Sequence, residues 1–403
     1  MTDNRKHING DFRKLIERNY AYVDKTGFVN EVINHHVIIY SRPDGFGKSL
    51  NMSMLYYFFS NQEESHELFK NLNIAKDEKA MKHLNQYPVI NISLKNVGGT
   101  NFKEAIDNFR SELEYFIISN NYLLEKGDEY DRQSLIGYIN KESDSLSLES
   151  SIKNLTRIMH KYFNKEVIVL IDDYDTPLHF AYRYGYFNEM SQFLMSLFGS
   201  TLKTNFNLHM GVLSGCIRIV KDLISESFNN FEMDTVLGNC GKPYFGYTEN
   251  EVKCLFNEFN LSDKVPIIKE WCDGYLFEDD KVYNPWLITK CISIFLNNSE
   301  KKSEIFRVDP SKVIVIGDCL KRHYALRRDI ERLLEGETVI KYINDHLRYE
   351  QLYDDYDIYY LLISTGYLNA QINNWEKHEY RLTIPNKYIR TIFEECFSRY
   401  DFS

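Results

Sequence analysis

No stretch of this 403-residue chain approaches the roughly 20 uninterrupted apolar residues needed to cross a bilayer. The opening residues, MTDNRKHING, hold no apolar run of the kind a secretory leader carries. No two of the seven cysteines (216, 240, 254, 272, 291, 319 and 396) stand at CxxC spacing. That argues against a zinc site, and an odd, scattered set fits a reducing compartment where cysteine serves as a small apolar residue. Positive charge is also short, for the net charge is −10. The one dense basic stretch, Lys321–Arg332, is interleaved with acids and reads as a solvated helix face, so there is no strong signal for nucleic-acid binding. The expected location is the cytoplasm, or the nucleus if the source is eukaryotic. Internal repeats and low-complexity linkers are absent as well.

What is present is apolar and aromatic: 43% hydrophobic residues, 15% aromatic, enough for a sizeable core and, at this length, for two or three domains. HHVIIY at 35–40, YPVINISL at 87–94, EVIVLIDD at 166–173 and LHMGVLSG at 208–215 read as strands. The five consecutive apolar residues of the third suggest burial on both faces, as in a parallel sheet. Helical patterns alternate with them over KSLNMSMLYYFFSN, 101–163 and FNEMSQFLMSLFGSTLKTN. This alternation predicts a parallel α/β sheet with helices on both faces. After about residue 245 the character changes to helices and charged loops. TENEVKCLFNEF opens there with a capping box, Thr248 with Glu251, and a small late strand pair follows, GYLNAQI and YRLTI.

Between the first strand and its helix lies SRPDGFGKS. Gly45 and Gly47 allow backbone N–H groups to approach a phosphate closely, and the following helix N-terminus adds a positive dipole. Lys48 would neutralise the β- and γ-phosphates, and Ser49 would place a hydroxyl on Mg²⁺. The full G-x-x-x-x-G-K-[ST] pattern wants glycine at 42, where this chain has Arg42. A bare Gly-Lys-Ser arises by chance in roughly one chain in five of this length, so position decides: the loop follows a buried strand and opens a helix.

A second signal is independent. VIVLIDDYD carries acids at its C-terminal tip, and strand C-termini form the ligand edge of a parallel sheet. Asp172 is placed to hold Mg²⁺ near Ser49, and Asp173 to polarise an attacking water. The next strand ends on Ser214, with Arg218 and Lys221 close behind as candidate γ-phosphate contacts. Tyr174 and Asp175 read as the turn after the strand.

These segments resemble the AAA-ATPase-like proteins, a P-loop group often carrying a PD-(D/E)XK nuclease domain at the C-terminus. The likeness runs through DFRKLIERNYAYVDKTGFV, SRPDGFGKSLNMSML, VIVLIDDYDTPL, GCIRIVKD, YFGYTENEV, WCDGYLF with VYNPW, and RLTIPNKYIRTIF, nearly the whole chain. The resemblance implies ATP with Mg²⁺ and matches the family loop at Arg42, Gly47, Lys48 and Ser49; with the loop and strand reading above, the expected nucleotide contacts are Arg42, Gly45, Gly47, Lys48, Ser49 and Ser214. The same reading expects metal contacts from Ser49 and Asp172, and catalytic roles for Asp173, Arg218 and Lys221. The expected order of regions is a lead-in over 1–30, a P-loop core over 31–243, a helical lid over 244–310, and a helical, winged-helix-like region over 311–403. A protein partner or a homo-oligomer is expected with it.

Three departures from the family pattern stand out. The family loop usually reads RPRRFGKS, so Arg42 is expected but Asp44-Gly45 replaces two arginines. The acidic strand usually reads LIDEYD, and Asp173 retracts that carboxylate by about 1.5 Å, where a misplacement of order 1 Å costs roughly 100-fold in rate. The chain stops soon after IPNKYIRTIF, and acid–lysine pairs such as Lys76-Asp-Glu-Lys79 make no nuclease site. The expected activity is slow Mg²⁺-dependent ATP hydrolysis or an ATP-driven switch. The alternatives are a non-catalytic nucleotide-binding scaffold and, further off, a phosphotransferase.

Overall fold

The computed structural model describes residues 10–140, 145–218, 231–238, 244–297, 306–344 and 357–400. At its centre lies a five-stranded sheet. The strands are β1 (Val37–Ser41), β2 (Val89–Ser93), β3 (Val167–Asp172), β4 (Leu208–Gly215) and β5 (Glu232–Asp234), in the order β2-β3-β4-β1-β5. Every pairing is parallel. β1 and β3 are buried along their whole length because crossover helices cover both faces of such a sheet. The register sets Ser41 opposite Gly215 and Ser93 opposite Asp172, so the loops after these strands emerge along one edge.

The expected parallel α/β architecture is therefore present, with one strand more than the apolar runs predict. β5 is three residues long and half-exposed, Glu-Met-Asp. It is a strand because its backbone pairs with Ile38–Tyr40, and it has no apolar pattern to find.

The helix α1 (Lys48–Phe59) follows β1 directly. Its buried side, Met52, Leu55, Phe58 and Phe59, lies in the main core. On the far side of β2, α2 (Phe102–Ser119) begins at an Asn101 cap and buries Ala105, Phe109, Leu113 and Phe116. After the sheet, α3 (Glu249–Glu258) has the expected capping box: Thr248 and Glu251 bond each other's backbone N–H groups. The Glu251 carboxylate also takes Lys25 Nζ at 2.7 and 2.9 Å, tying the start of the chain to this helix.

The remainder is mostly helical, with two small antiparallel sheets. One is the hairpin of β6 (Tyr275–Phe277) and β7 (Asp280–Val282). The other holds β8 (Val339–Tyr342), β9 (Asn369–Asn374) and β10 (Glu379–Thr383) in the order β8-β10-β9. β9 and β10 are the late strand pair read from the sequence, and β8 joins them at the edge. Among the described residues no helix is long and apolar enough to cross a membrane.

Candidate functional site

The loop from Arg42 to Gly47 leaves the C-terminal end of β1 and delivers the chain into α1. Gly45 and Gly47 sit at φ +83° and +87°, a region that side chains avoid. Gly47 is the cap of α1, so the first helical residues are Lys48 and Ser49.

Lys48 is 6% exposed, and its ammonium turns back into the loop. Nζ donates to the carbonyls of Arg42 (2.9 Å) and Pro43 (3.2 Å), to Asp44 Oδ1 (3.0 Å) and to Cys216 Sγ (3.1 Å). Burial disfavours the charged lysine, but its contacts with Cys216 Sγ and the Asp44 carboxylate hold its titration above the ordinary range. Lys48 in turn pulls the Asp44 carboxyl down to about 2. The Cys216 thiol donates to the same Asp44 oxygen at 3.1 Å, and burial keeps that thiol protonated.

Ser49 is exposed on the first turn of α1, and among the described residues its hydroxyl makes no hydrogen bond. It faces a cavity of about 420 Å³ that also touches Asp172 and runs along α1 toward Asn91 and Tyr115. Asp172, 6% exposed, ends β3. Its Oδ1 accepts the Ser214 hydroxyl from the tip of the neighbouring β4 and the N–H of Asp173 at 3.0 Å. A serine hydroxyl and a carboxylate are hard oxygen donors, the kind that Mg²⁺ takes alongside phosphate and water.

Asp173 adopts φ +54°, a left-handed conformation in which aspartate and asparagine are the favoured side chains. Burial raises its carboxyl to about 7, the charge of Asp172 adds to the rise, and Lys48 opposes it. Of the two carboxylates in sequence, Asp172 is thus held by hydrogen bonds and Asp173 titrates near neutrality.

Asp175, read from the sequence as a turn residue, has a definite task. Its Oδ2 accepts the N–H groups of Cys216 (3.0 Å) and Ile217 (2.9 Å), while Tyr174 donates its hydroxyl to the Ile217 carbonyl at 2.5 Å. These bonds lock the loop after β3 to the loop after β4. A Cβ on Gly215 would stand 2.5 Å from Asp175 Oδ1, so glycine is required there. A third acid in a turn that needs only two was the available sign.

Arg42 departs from its expected role. Its side chain is 1% exposed and points away from the loop interior. It donates to the carbonyls of Ser41 (2.8 Å) and Asp234 (3.0 Å), pairs with the Asp234 carboxylate at 2.8 Å, and lies over the rings of Phe245 and Phe277. It is the Arg42 carbonyl, not the guanidinium, that faces Lys48. Arg218 is half-buried at the end of the described segment after β4. Lys221 lies outside the described residues.

The outer side of the loop is clamped by the C-terminal half. Asn284 donates its amide to the Asp44 carbonyl at 3.0 Å, and its Oδ1 caps the helix α4 (Pro285–Leu296) at Leu287 N–H. The Trp286 N–H donates to the Gly45 carbonyl at 3.1 Å. Phe46 packs against Tyr275 and Phe277 with ring centres 5.1 and 4.8 Å apart. A Cβ on Gly45 would meet the Asn284 amide at 2.8 and 2.9 Å, so this glycine serves both conformation and contact.

Residues 9–225 match the family model described as Predicted AAA-ATPase. A protein from Azotobacter chroococcum mcd 1, known as an uncharacterized protein in the vnfD 5′ region, is 24% identical over 391 residues, or 96% of this chain and 68% of that protein. The ORC2 protein of Aeropyrum pernix, solved as ADPNP–ADP complexes, aligns over 96% of this chain and 98% of its own. The identity is 11% and the TM-score 0.34, a likeness too loose to carry an argument.

Proposed function

This chain belongs to the Predicted AAA-ATPase family and is a nucleotide-binding P-loop protein; from that premise we propose that it binds ATP with Mg²⁺ at Gly45–Ser49 and hydrolyses it slowly, as an ATP-driven switch. The observation that carries the reading is the arrangement at the strand ends. Asp172 is held by Ser214 beside the same cavity as Ser49, and the next residue is an acid raised to about 7. Ser49 and Asp172 are the residues that would hold Mg²⁺, which neutralises charge on the β- and γ-phosphate oxygens when bound.

The chain's own groups divide the rest of the work. Lys48 meets the phosphate chain as a point charge, and the glycine loop offers N–H groups. Ser214 keeps one oxygen of Asp172 occupied and its carboxylate oriented. Asp173 accepts a proton from the attacking water as the water oxygen bonds to the γ-phosphorus. The bond from that phosphorus to the bridging oxygen breaks, and ADP leaves. A base titrating near 7 is matched to neutral pH, so turnover should rise as pH climbs through about 7.

Calorimetry of the full chain with Mg²⁺ and ATP tests the first half of the proposal. Lys48→Ala should weaken binding about 100-fold, since it removes a charge-assisted contact to phosphate. Failure of the wild type to bind at about 1 mM ATP, an affinity worth only about 4 kcal/mol, would overturn the reading.

One observation favours a second reading, a nucleotide-binding scaffold without hydrolysis: an anion, Asp44, already occupies Lys48. Comparing phosphate release by the wild type with that by Asp173→Glu separates the two. A large gain marks a site tuned down, and zero turnover in both marks a scaffold.

A further inference from the structure

We propose that Asp44 stands in for a phosphate oxygen at Lys48, so that nucleotide binds by displacing an internal carboxylate. The inference rests on the nucleotide reading above and deepens it by naming the residue that sets its affinity.

The geometry of the ammonium carries the argument. An ammonium has three donors. Four acceptors surround Lys48 Nζ: two loop carbonyls, Asp44 Oδ1 and Cys216 Sγ. Its donors are spent, so a phosphate oxygen can reach Nζ only in exchange for one of them. The carbonyls belong to a fixed backbone. Arg42 N–H bonds the Gly215 carbonyl at 2.9 Å, and Asn284 holds the Asp44 carbonyl. Cys216 is fixed through its own N–H on Asp175. The Asp44 side chain, 90% exposed, is the one acceptor that can swing out without moving the loop.

A second cation stands by a residue that holds the loop. Lys312, on the helix Pro310–Arg322 of the C-terminal half, also acts on Asp44 through its charge. It rests beside Trp286 and Tyr388, next to the residues that clamp the loop. Asp44 thus bonds Lys48 in the described state and also feels the charge of Lys312. Exchange from one to the other makes nucleotide occupancy felt in the C-terminal half.

The test is calorimetry of the full chain with Mg²⁺ and ATP, with thermal unfolding of the ligand-free protein alongside. Asp44→Asn should bind MgATP about tenfold more tightly, the discounted value of one charged contact at an exposed site. Its ligand-free Tm should hold or fall, whereas a merely structural Asp44 would weaken binding together with stability. Lys312→Met should weaken binding about threefold in the wild type and leave Asp44→Asn unchanged. If the wild type binds and Asp44→Asn binds no tighter, this inference falls and the nucleotide reading stands. If neither protein binds, both fall. An equal loss from Lys312→Met in both backgrounds removes Lys312 from the exchange.

Discussion

The loop between β1 and α1 has two sides built on opposite terms. The inner side, facing Asp172 and Asp173, gathers charges that disturb one another: Asp44 is pulled down to about 2, Asp173 is pushed up to about 7, and a buried lysine is held charged. The outer side, facing the C-terminal half, gathers packed and paired groups: an arginine paired with Asp234 over aromatic rings, a buried phenylalanine and a bidirectional asparagine. Perturbed titration marks places where groups await a partner, and settled packing marks places that hold such groups still. One short segment does both: Arg42 and Phe46 pack outward, while Asp44 and Lys48 pair with each other.

The outer side should dominate stability. Arg42→Ala removes one member of a buried pair and leaves Asp234 behind, which costs about 3–5 kcal/mol. Urea denaturation would show this as a lower midpoint. A small change, under about 1 kcal/mol, would break the comparison by showing Arg42 to be dispensable packing. Gly45→Ala follows at about 1–3 kcal/mol, since its methyl meets the Asn284 amide and its φ of +83° strains any side chain. The same measurement applies, and an unchanged midpoint would mean the clamp yields easily.

The inner side should give the opposite sign. Asp173→Asn removes a carboxyl held near 7 in the fold and near 4 in the unfolded chain. Between those values the folded state keeps a proton that the unfolded state has lost, so the wild type loses stability as pH rises from about 4 to about 7. The substitution should raise stability by roughly 1–2 kcal/mol at pH 8 and by little at pH 4, while phosphate release falls about 100-fold. Thermal unfolding at the two pH values checks the first part. Equal effects at both would show that Asp173 does not titrate as described. Asparagine accepts the left-handed backbone at 173, so strain does not confuse the result.

The inner side was largely legible in the sequence because its signals are local. Lys48 and Ser49 sit in one tripeptide, Asp172 and Asp173 end one apolar run, and Ser214 closes another. The strands β1 to β4 were legible for the same reason, each carrying its own apolar pattern. What escaped depends on distant chain. Asn284 bonds a carbonyl 240 positions away, and no local pattern announces that. β5 is a strand only because β1 lies beside it. Arg42 looked like a phosphate ligand from its place in the loop. Its direction is set by Asp234, Phe245 and Phe277, far along the chain. The turn at Asp173 likewise follows from closure of the β3 and β4 loops by Asp175.

The smallest effect joins the two sides. Asn284 uses both ends of its amide, one to cap α4 and one to hold the Asp44 carbonyl. Serine is an equally good cap but has no second arm to reach the loop. Asn284→Ser should therefore cost no more than about 0.5–1 kcal/mol in urea denaturation, the worth of one ordinary hydrogen bond. Its mark should fall on MgATP binding instead, weakened about threefold, because a loop released on its outer side presents Lys48 and the glycine N–H groups less steadily. Weakened stability with intact binding would show the clamp to be packing alone. Weakened binding with near-intact stability would show that the C-terminal half sets the shape of the phosphate loop.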